Sequence, residues 1–303
     1  MTAPSAAERR LALMALTGCA LLLGLAPNLV RLADVGPAAA GFWRMFLAAP
    51  ILALIVLRPG RARAALKPPG RFALLAGLFI GCDLVFWHYG IQMTSVANAT
   101  TLCNLTPVVV TAFAWIVLGE RPGRLFLAAL ALAVIGAWTM AAGADGGQGT
   151  NPLLGDLFSL SVAGWYAGYF LAVQRARRTM GALPVMLWST LAAVPIALIA
   201  ALAMGEPLLP ASSGGWWALA GLALMHVTGQ GGVAWALGRL PASTTAVIVL
   251  IQPVSAAVIA WLWLGETVTP LQVLGGAVIL CAVLLAQRAA TGPGGANEKG
   301  ATA

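Results

Sequence analysis

The sequence predicts an all-α membrane protein whose ten transmembrane helices form two inverted five-helix repeats. Composition is the first reason: only 9% of the residues are charged and 60% are hydrophobic, whereas a soluble domain usually has about 25% charged residues. The second reason is a set of ten apolar runs long enough to cross a bilayer. The third is a repeated stretch, LTPVVVTAFAWIVLGE at 105–120, which returns as IQPVSAAVIAWLWLGE at 251–266.

Each apolar run has the length that a membrane-crossing helix needs, about 20 mostly apolar residues. The runs lie at 11–33, 37–57, 71–92, 95–118, 122–142, 153–175, 184–204, 215–237, 241–264 and 268–288. None alternates with a period of two residues, so a β-barrel is not predicted. The first run follows Arg9 and Arg10 as a signal peptide would. Its apolar stretch is too long for one and has a counterpart in the second half, so we expect a transmembrane helix.

The basic residues are distributed so that they orient the chain in the membrane. With the N-terminus in the cytoplasm, the outer loops hold only Arg31, and Arg44 lies within a helix. The inner loops and tails hold Arg9, Arg10, Arg58, Arg61, Arg63, Lys67, Arg71, Arg121, Arg124, Arg175, Arg177, Arg178, Arg239, Arg288 and Lys299. This positive-inside distribution predicts that both termini are cytoplasmic. It also explains the formal net charge of +8 without a nucleic-acid partner.

The repeat extends over most of the chain. FWRMFLAAPILALI at 42–55 resembles LWSTLAAVPIALIA at 187–200, and SVANATTL at 95–102 aligns with PASTTAVI at 241–248. A constant offset indicates two copies of one unit, and because five is odd, the second copy enters the membrane upside down. The predicted division is a cytoplasmic tail at 1–10, a first repeat at 11–142, an outer linker at 143–152, a second repeat at 153–288 and a disordered cytoplasmic tail at 289–303.

Inverted repeats favour a transport function. They are typical of secondary transporters, which bind substrate near the membrane midplane between the two copies. A membrane scaffold or sensor without solute flux is the alternative from another class, but inverted repeats give such a protein no advantage. The sequence has no phosphate loop, zinc-ligand spacing or nucleophile elbow, so an enzyme is not expected. The four cysteines lie in apolar runs and match no metal spacing, and we expect neither a metal nor a cofactor.

Three longer stretches resemble a known family. They are WRMFLAA at 43–49, TSVANATTLCNLTPVVVTAFAWIVLGERP at 94–122 and NPLLGDLFSLSVAGWYAGYF at 151–170. Together they resemble the EamA repeat of the drug/metabolite transporter superfamily, over about residues 10–288. The resemblance implies a ten-helix exporter of small metabolites in a bacterial inner membrane. One branch of that superfamily exports amino acids, including aromatic ones, and other branches carry nucleotide sugars, triose phosphates or drug-like cations.

Two ionisable residues inside the apolar runs are candidates for a gate or a charge pair. Arg44 lies in the second run and Asp83 in the third, at depths that make a direct pair feasible. Charges within a membrane are costly and mark functional sites by default. The pair could fix two helices together, or it could gate the pathway or anchor a substrate carboxylate. The second copy has Ser189 at the position of Arg44, so symmetric packing does not require the charge.

The fourth run has a polar stripe at helical spacing, formed by Asn98, Thr101 and Asn104. In lipid such a stripe must face protein or a watery cavity, and hydrogen bonding between helices is the simpler explanation. We expect these three side chains to line a central cavity. The corresponding run of the other copy offers Gln252 to the same cavity.

Aromatic residues at membrane depth are further candidates for substrate contact. Trp165, Tyr166 and Tyr169 lie deeper in the sixth run than an interfacial aromatic belt. Their rings could stack on a flat substrate or hold an ammonium group. In the third run, Trp87 and His88 lie side by side, and His88 is included as a possible proton relay. His226, with Gln230 one turn on, is interpreted as a structural histidine.

Pro107 and Pro253 occupy equivalent positions within the fourth and ninth runs. Each proline removes a backbone hydrogen bond and can bend its helix. Two bends related by the repeat would suit alternating access, or they could only shape the cavity.

The predicted function is export of small amphipathic metabolites by alternating access, with amino acids, including aromatic and apolar ones, as the first choice of substrate. A cavity for sugar phosphates should have several Lys or Arg at membrane depth, and here Arg44 stands alone. Export of drug-like organic cations is the alternative, with Asp83 as the decisive carboxylate unless Arg44 neutralises it. The expected partners are a small-molecule substrate and membrane lipid, without nucleic acid, and a ten-helix fold can work as a monomer.

Overall fold

The computed structural model describes residues 5–58, 68–94, 96–118, 121–143, 150–265 and 267–291 of the 303-residue chain. Within these ranges the regular structure is entirely helical. All ten apolar runs are helical, and several consist of two helices in tandem. The first half of the chain contains α1 (Ala6–Leu23), α2 (Ala26–Arg31), α3 (Pro37–Val56), α4 (Arg71–Met93), α5 (Val96–Cys103), α6 (Thr106–Leu118) and α7 (Arg124–Ala142).

The second half repeats this order. It contains α8 (Pro152–Ala176), α9 (Ala182–Ala203), α10 (Ser213–Met225), a π-helix (His226–Gln230), α11 (Gly231–Ala236), α12 (Ala242–Val249), α13 (Ile251–Leu264) and α14 (Pro270–Thr291).

Local sequence explains several of the helix starts. A capping box begins α1, since the Ser5 side chain accepts a hydrogen bond from the Glu8 amide and the Glu8 side chain accepts one from the Ser5 amide. The Asn151 side chain caps α8, and the Ser212 side chain caps α10 in the same way. Proline stands in the first turn of α3 and of α8, where its missing N–H costs nothing.

Seven spans within the described residues are long and apolar enough to cross a membrane, which makes the chain a multi-pass membrane protein. They are Ala6–Arg31, Pro37–Val56, Ala99–Ile116, Arg124–Ala142, Ala182–Ala203, Ala242–Leu264 and Pro270–Thr291. The sequence predicted ten such spans. The three predicted runs that do not qualify correspond to α4, to α8 and to α10 with its π-helix. These are the runs that contain Asp83, Tyr166 and His226.

The two halves pack against each other more than within themselves. The largest contacts join α4 to α8, α7 to α14, α3 to α9, and α4 to α9. Several contacts have a counterpart with the halves exchanged: α4 packs on α9 as α3 packs on α10, and α6 packs on α8 as α13 packs on α1. The hydrophobic core therefore lies between the two copies, which is where two copies of one unit related by a pseudo-two-fold axis would bury it.

The α7–α14 contact depends on close approach of two backbones. A methyl group built on Gly275 of α14 would collide with the backbone of Gly136 and of Met140 in α7. Small residues at such crossings let helices approach closely and gain van der Waals contact in lipid.

Replacing Gly275 by alanine should therefore lower the thermal unfolding temperature in detergent. The two helices must separate to admit the methyl group, and overpacking of this kind costs about 1–3 kcal/mol. Gly164 in α8 is the matched control, because a methyl group there meets no atom within 4 Å. Gly164→Ala should leave the unfolding temperature unchanged or raise it slightly. Equal unfolding temperatures for the two variants would contradict the packing described.

Candidate functional site

Polar side chains from both copies meet in the interior, between α3, α4, α8, the π-helix and α13. The helix of Arg44, α3, packs on α4, which contains Asp83, and on the π-helix, which contains His226 and Gln230. The helix α4 packs in turn on α8, which contains Tyr166 and Tyr169, and Gln252 is a half-buried residue of α13. The central polar cluster, as we call it below, comprises Arg44, Asp83, Tyr166, Tyr169, His226, Gln230 and Gln252.

Arg44 and Asp83 are the two charged members of the cluster. Each is only 9% exposed. Both residues are described, and their charged atoms lie too far apart to form a salt bridge at the 4.0 Å limit. The direct pair that the sequence suggested is therefore not formed. The Nε atom of Arg44 is buried and has no hydrogen-bond partner among the described residues.

A small cavity lies beside Arg44. It has a volume of about 20 Å³ and is lined by Arg44, Gly41, Leu84, Trp87 and Leu222, together with small residues of α2 and α3. A cavity of this size holds about one water molecule. It is too small for a metabolite. Trp87, predicted as a substrate contact, lies at its edge next to Arg44.

The π-helix supplies two members of the cluster. The Nε2 atom of His226 lies 2.9 Å from the Oγ1 atom of Thr190 on α9, while His226 Nδ1 and Gln230 Nε2 are buried without a partner in the described structure. Both side chains are only 2% exposed. Single π-helical turns inside α-helices are frequent at functional sites. His226, interpreted from sequence as structural, thus lies inside the cluster, and the polar letters HVTGQ within an apolar run were the available signal.

The aromatic residues of α8 divide into two groups. The Tyr166 and Tyr169 rings are stacked, with centroids 5.9 Å apart, and Tyr166 also packs edge-on against Phe170 at 4.7 Å. Trp165 packs instead on Phe79 and Phe86 of α4, at 6.1 and 5.7 Å. The two tyrosines therefore belong to the central polar cluster, and Trp165 belongs to the α4–α8 contact.

The predicted polar stripe of the fourth run is only partly visible. The side chains of Asn98, and of His88 in α4, lie outside the described part of the structure. Thr101 is half-buried, and its backbone carbonyl accepts a hydrogen bond from Trp138 Nε1 at 3.3 Å. Asn104 lies at the break between α5 and α6, with its Nδ2 atom buried and without a partner among the described residues. Of the predicted stripe, the described structure therefore shows one buried side-chain amide without a partner, that of Asn104.

Both predicted proline bends coincide with a helix break. Pro107 is the second residue of α6 and Pro253 the third residue of α13, and each follows an interruption of the helix. At the first break, the Cys103 carbonyl that proline leaves without its helical partner accepts a hydrogen bond from Thr106 Oγ1 at 2.8 Å. A third break, between α1 and α2, packs on α13, where Ser255 Oγ donates to the Leu21 carbonyl at 2.6 Å.

The two ends of the helix assembly are held by different contacts. At one end, the Glu206 carboxylate accepts a hydrogen bond from the Ala39 amide at 2.8 Å and so caps α3, the helix that contains Arg44. At the other end, Arg177 Nε donates to the Ala234 carbonyl of α11 at 3.0 Å. Burial, and secondarily the charge of Arg239, lowers the pKa of Arg177.

A metal centre is not visible in the described part of the chain, which contains no group of three His, Cys, Asp or Glu residues able to hold an ion. The side chains of the central polar cluster can bind a ligand through charges, hydrogen bonds and aromatic rings.

Comparison with protein families gives two matches along the chain. Residues 10–142 and residues 153–287 each match the model described as the EamA-like transporter family. The two matched segments correspond to the two copies that the sequence repeat and the packing define.

Curated relatives of similar length are named as exporters. The chain is 30% identical over 251 residues to the threonine/homoserine exporter RhtA of Escherichia coli strain K12, covering 80% of this chain and 79% of the relative. It is 28% identical over 269 residues to a probable terminal-alkyne amino-acid exporter of Streptantibioticus cattleyicolor, covering 87% and 88%. A crystal structure that is 18% identical, with a TM-score of 0.75 over 92% of this chain and 97% of that one, has the same fold.

Replacing Thr190 by valine should destabilise the protein, because it removes the hydrogen bond of the buried His226 ring. An orphaned buried polar group costs about 1–3 kcal/mol, which thermal unfolding in detergent would detect. Thr139→Val is the control, since Thr139 Oγ1 bonds only to the Ile135 carbonyl of its own helix. A valine at 190 that is no more destabilising than the one at 139 would show that the bond to His226 contributes little.

Proposed function

The chain belongs to the EamA-like transporter family, and from that premise we propose that it exports small neutral amino acids across a bacterial inner membrane by alternating access. The observation on which this rests is the central polar cluster, a set of buried and incompletely paired groups between the two copies. The relatives named as exporters of threonine, homoserine and an alkyne amino acid support an amino acid as the substrate.

The packing of the aromatic residues favours small side chains over aromatic ones. The sequence suggested that Trp165, Tyr166 and Tyr169 could stack on a flat substrate. Each of these rings already packs against a protein ring, so a flat substrate would have to displace one of them. A side chain of the size of threonine would need less rearrangement. Aromatic amino acids therefore become the comparison substrates in the test.

The two ends of the assembly support the alternating-access part of the proposal. Opening the interior toward one side of the membrane would require the contact between Glu206 and α3 to break. Opening it toward the other side would require the contact between Arg177 and α11 to break. The central polar cluster lies between these ends, and the helix breaks beside Pro107 and Pro253 offer points at which the two halves of a span can change direction. An inverted arrangement of ten spans would make the two openings equivalent by symmetry.

Flux into liposomes that contain the purified protein tests the proposal directly. We expect saturable movement of labelled threonine and homoserine, with phenylalanine moving more slowly. Gln230→Leu should reduce threonine flux by about tenfold, since it removes a buried polar group from the cluster. Gln287→Leu is the matched control and should stay near the wild-type rate, because Gln287 bonds to Thr17 away from the cluster.

Other outcomes of the same assay distinguish the alternatives. Flux of a cationic dye that is lost on Asp83→Asn, without amino-acid flux, would establish the organic-cation exporter instead. The absence of flux for every solute would favour a scaffold or sensor. A comparison with and without a pH gradient would separate proton-coupled export from facilitated diffusion.

The proposed orientation has its own test. A fluorescent reporter fused after residue 303 should fold and fluoresce, because we expect the C-terminus in the cytoplasm. Alkaline phosphatase inserted in the linker at 143–152 should be active, since that linker is expected outside. The opposite pattern of the two reporters would reverse the assigned orientation and, with it, the direction in which the two openings face.

A further inference from the structure

Resting on the proposed function, we propose that the central polar cluster recognises an amino acid as a zwitterion. Arg44 and Gln230 would bind the carboxylate, and Asp83 would bind the ammonium group. The substrate class is thereby defined as one that has an ammonium group and a carboxylate group on the same carbon atom.

The first support is the state of the two charged residues. Arg44 and Asp83 are both 9% exposed, yet they form no salt bridge with each other in the described structure. A buried charge without a close partner is costly, and in a membrane such residues mark substrate pathways. A zwitterion placed between them would give each charge a partner of opposite sign.

The donor side of this site already has free hydrogen-bonding groups. Arg44 Nε and Gln230 Nε2 are both buried and without a partner among the described residues. A guanidinium group matches the geometry of a carboxylate and binds it through two parallel hydrogen bonds. The cavity beside Arg44 shows that the surrounding helices leave some space at this point. His226 Nδ1 in the π-helix is also buried and unpaired in the described structure.

The acceptor side is provided by Asp83. It is the carboxylate within the central polar cluster, and its helix α4 packs on α8, the helix that contains Tyr166 and Tyr169. An ammonium group held by Asp83 would lie near the stacked tyrosine rings, whose faces attract cations. The two sides come from neighbouring helices, since Arg44 belongs to α3 and Asp83 to α4.

A site with one positive and one negative group should reject ligands that have only one of the two charges. A lone organic cation would be repelled by Arg44, and a lone carboxylic acid would be repelled by Asp83. Like charges brought together at a binding site repel each other and suppress binding of the wrong ligand. Discrimination should therefore come from the charge pattern at the backbone of the amino acid rather than from its side chain.

Competition against labelled threonine in the liposome assay tests this inference. The competitors are unlabelled threonine, threonine methyl ester, which lacks the carboxylate charge, and 2,3-dihydroxybutyrate, which has a hydroxyl in place of the ammonium group. Wild-type protein should prefer threonine over each analogue by about tenfold or more. Arg44→Gln should reduce discrimination against the ester only, and Asp83→Asn should reduce discrimination against dihydroxybutyrate only.

Matched controls separate recognition from general damage. Arg239→Gln removes an arginine that packs on Trp235, and Asp156→Asn removes a carboxylate that accepts a hydrogen bond from Thr94. Both controls lie outside the cluster and should keep the wild-type discrimination. Should either cluster variant fail to fold, the wild-type competition still decides, because equal inhibition by all three compounds would overturn the inference.

The outcomes also distinguish this inference from the proposed function. Saturable threonine flux with no preference over either analogue leaves amino-acid export standing and removes the zwitterion site. The same conclusion follows if both cluster variants transport threonine with unchanged discrimination. Failure of the wild-type protein to move any amino acid overturns the proposed function and the zwitterion site with it.

Discussion

The interior of this protein is organised around two ionisable side chains of opposite type that are buried without touching. Arg44 and Asp83 lie on neighbouring helices of the first copy, and their surroundings come largely from the second copy. Tyrosine hydroxyls, two glutamine amides and a histidine ring provide the polar environment that lipid cannot. Asp83, Tyr166 and His226 belong to three different helices, α4, α8 and the π-helix, so the polar groups are spread over both copies.

This arrangement depends on interlocked copies rather than on two separate domains. Because α3 packs on α9 and α4 packs on α8, each copy supplies a wall of the site to the other. Close backbone approach at glycines, such as Gly275 against α7, fixes the distance between the copies. The helix breaks next to Pro107 and Pro253 then place non-helical backbone toward the middle of the assembly, where protein rather than lipid surrounds it.

Much of the fold followed from sequence, while the site followed only in part. The repeat and the apolar runs predicted the helices and their order, and the prolines marked the breaks. Tyr166, Tyr169, Gln252, Arg44 and Asp83 were named in advance, and their role in a site stays a prediction. His226 was interpreted as a structural histidine, and an α-helical period cannot reveal the π-helical turn that holds it with Gln230. Trp165 packs on rings of α4, whereas Tyr166 belongs to the cluster. Sequence could not show this difference, because it depends on packing between segments that are distant in the chain.

The difference between Arg44 and Ser189 has a consequence for how such a protein can evolve. Ser189 is buried and donates to the Met186 carbonyl of its own helix at 3.1 Å, so the second copy has no guanidinium at the matching position. Two identical five-helix chains assembled as a dimer would have to place both arginines, or neither, around the shared interior. A single fused chain is free of that restriction. Joining the copies therefore permits a binding site with distinct poles inside a nearly symmetric scaffold, and a ligand can be held there in one direction only.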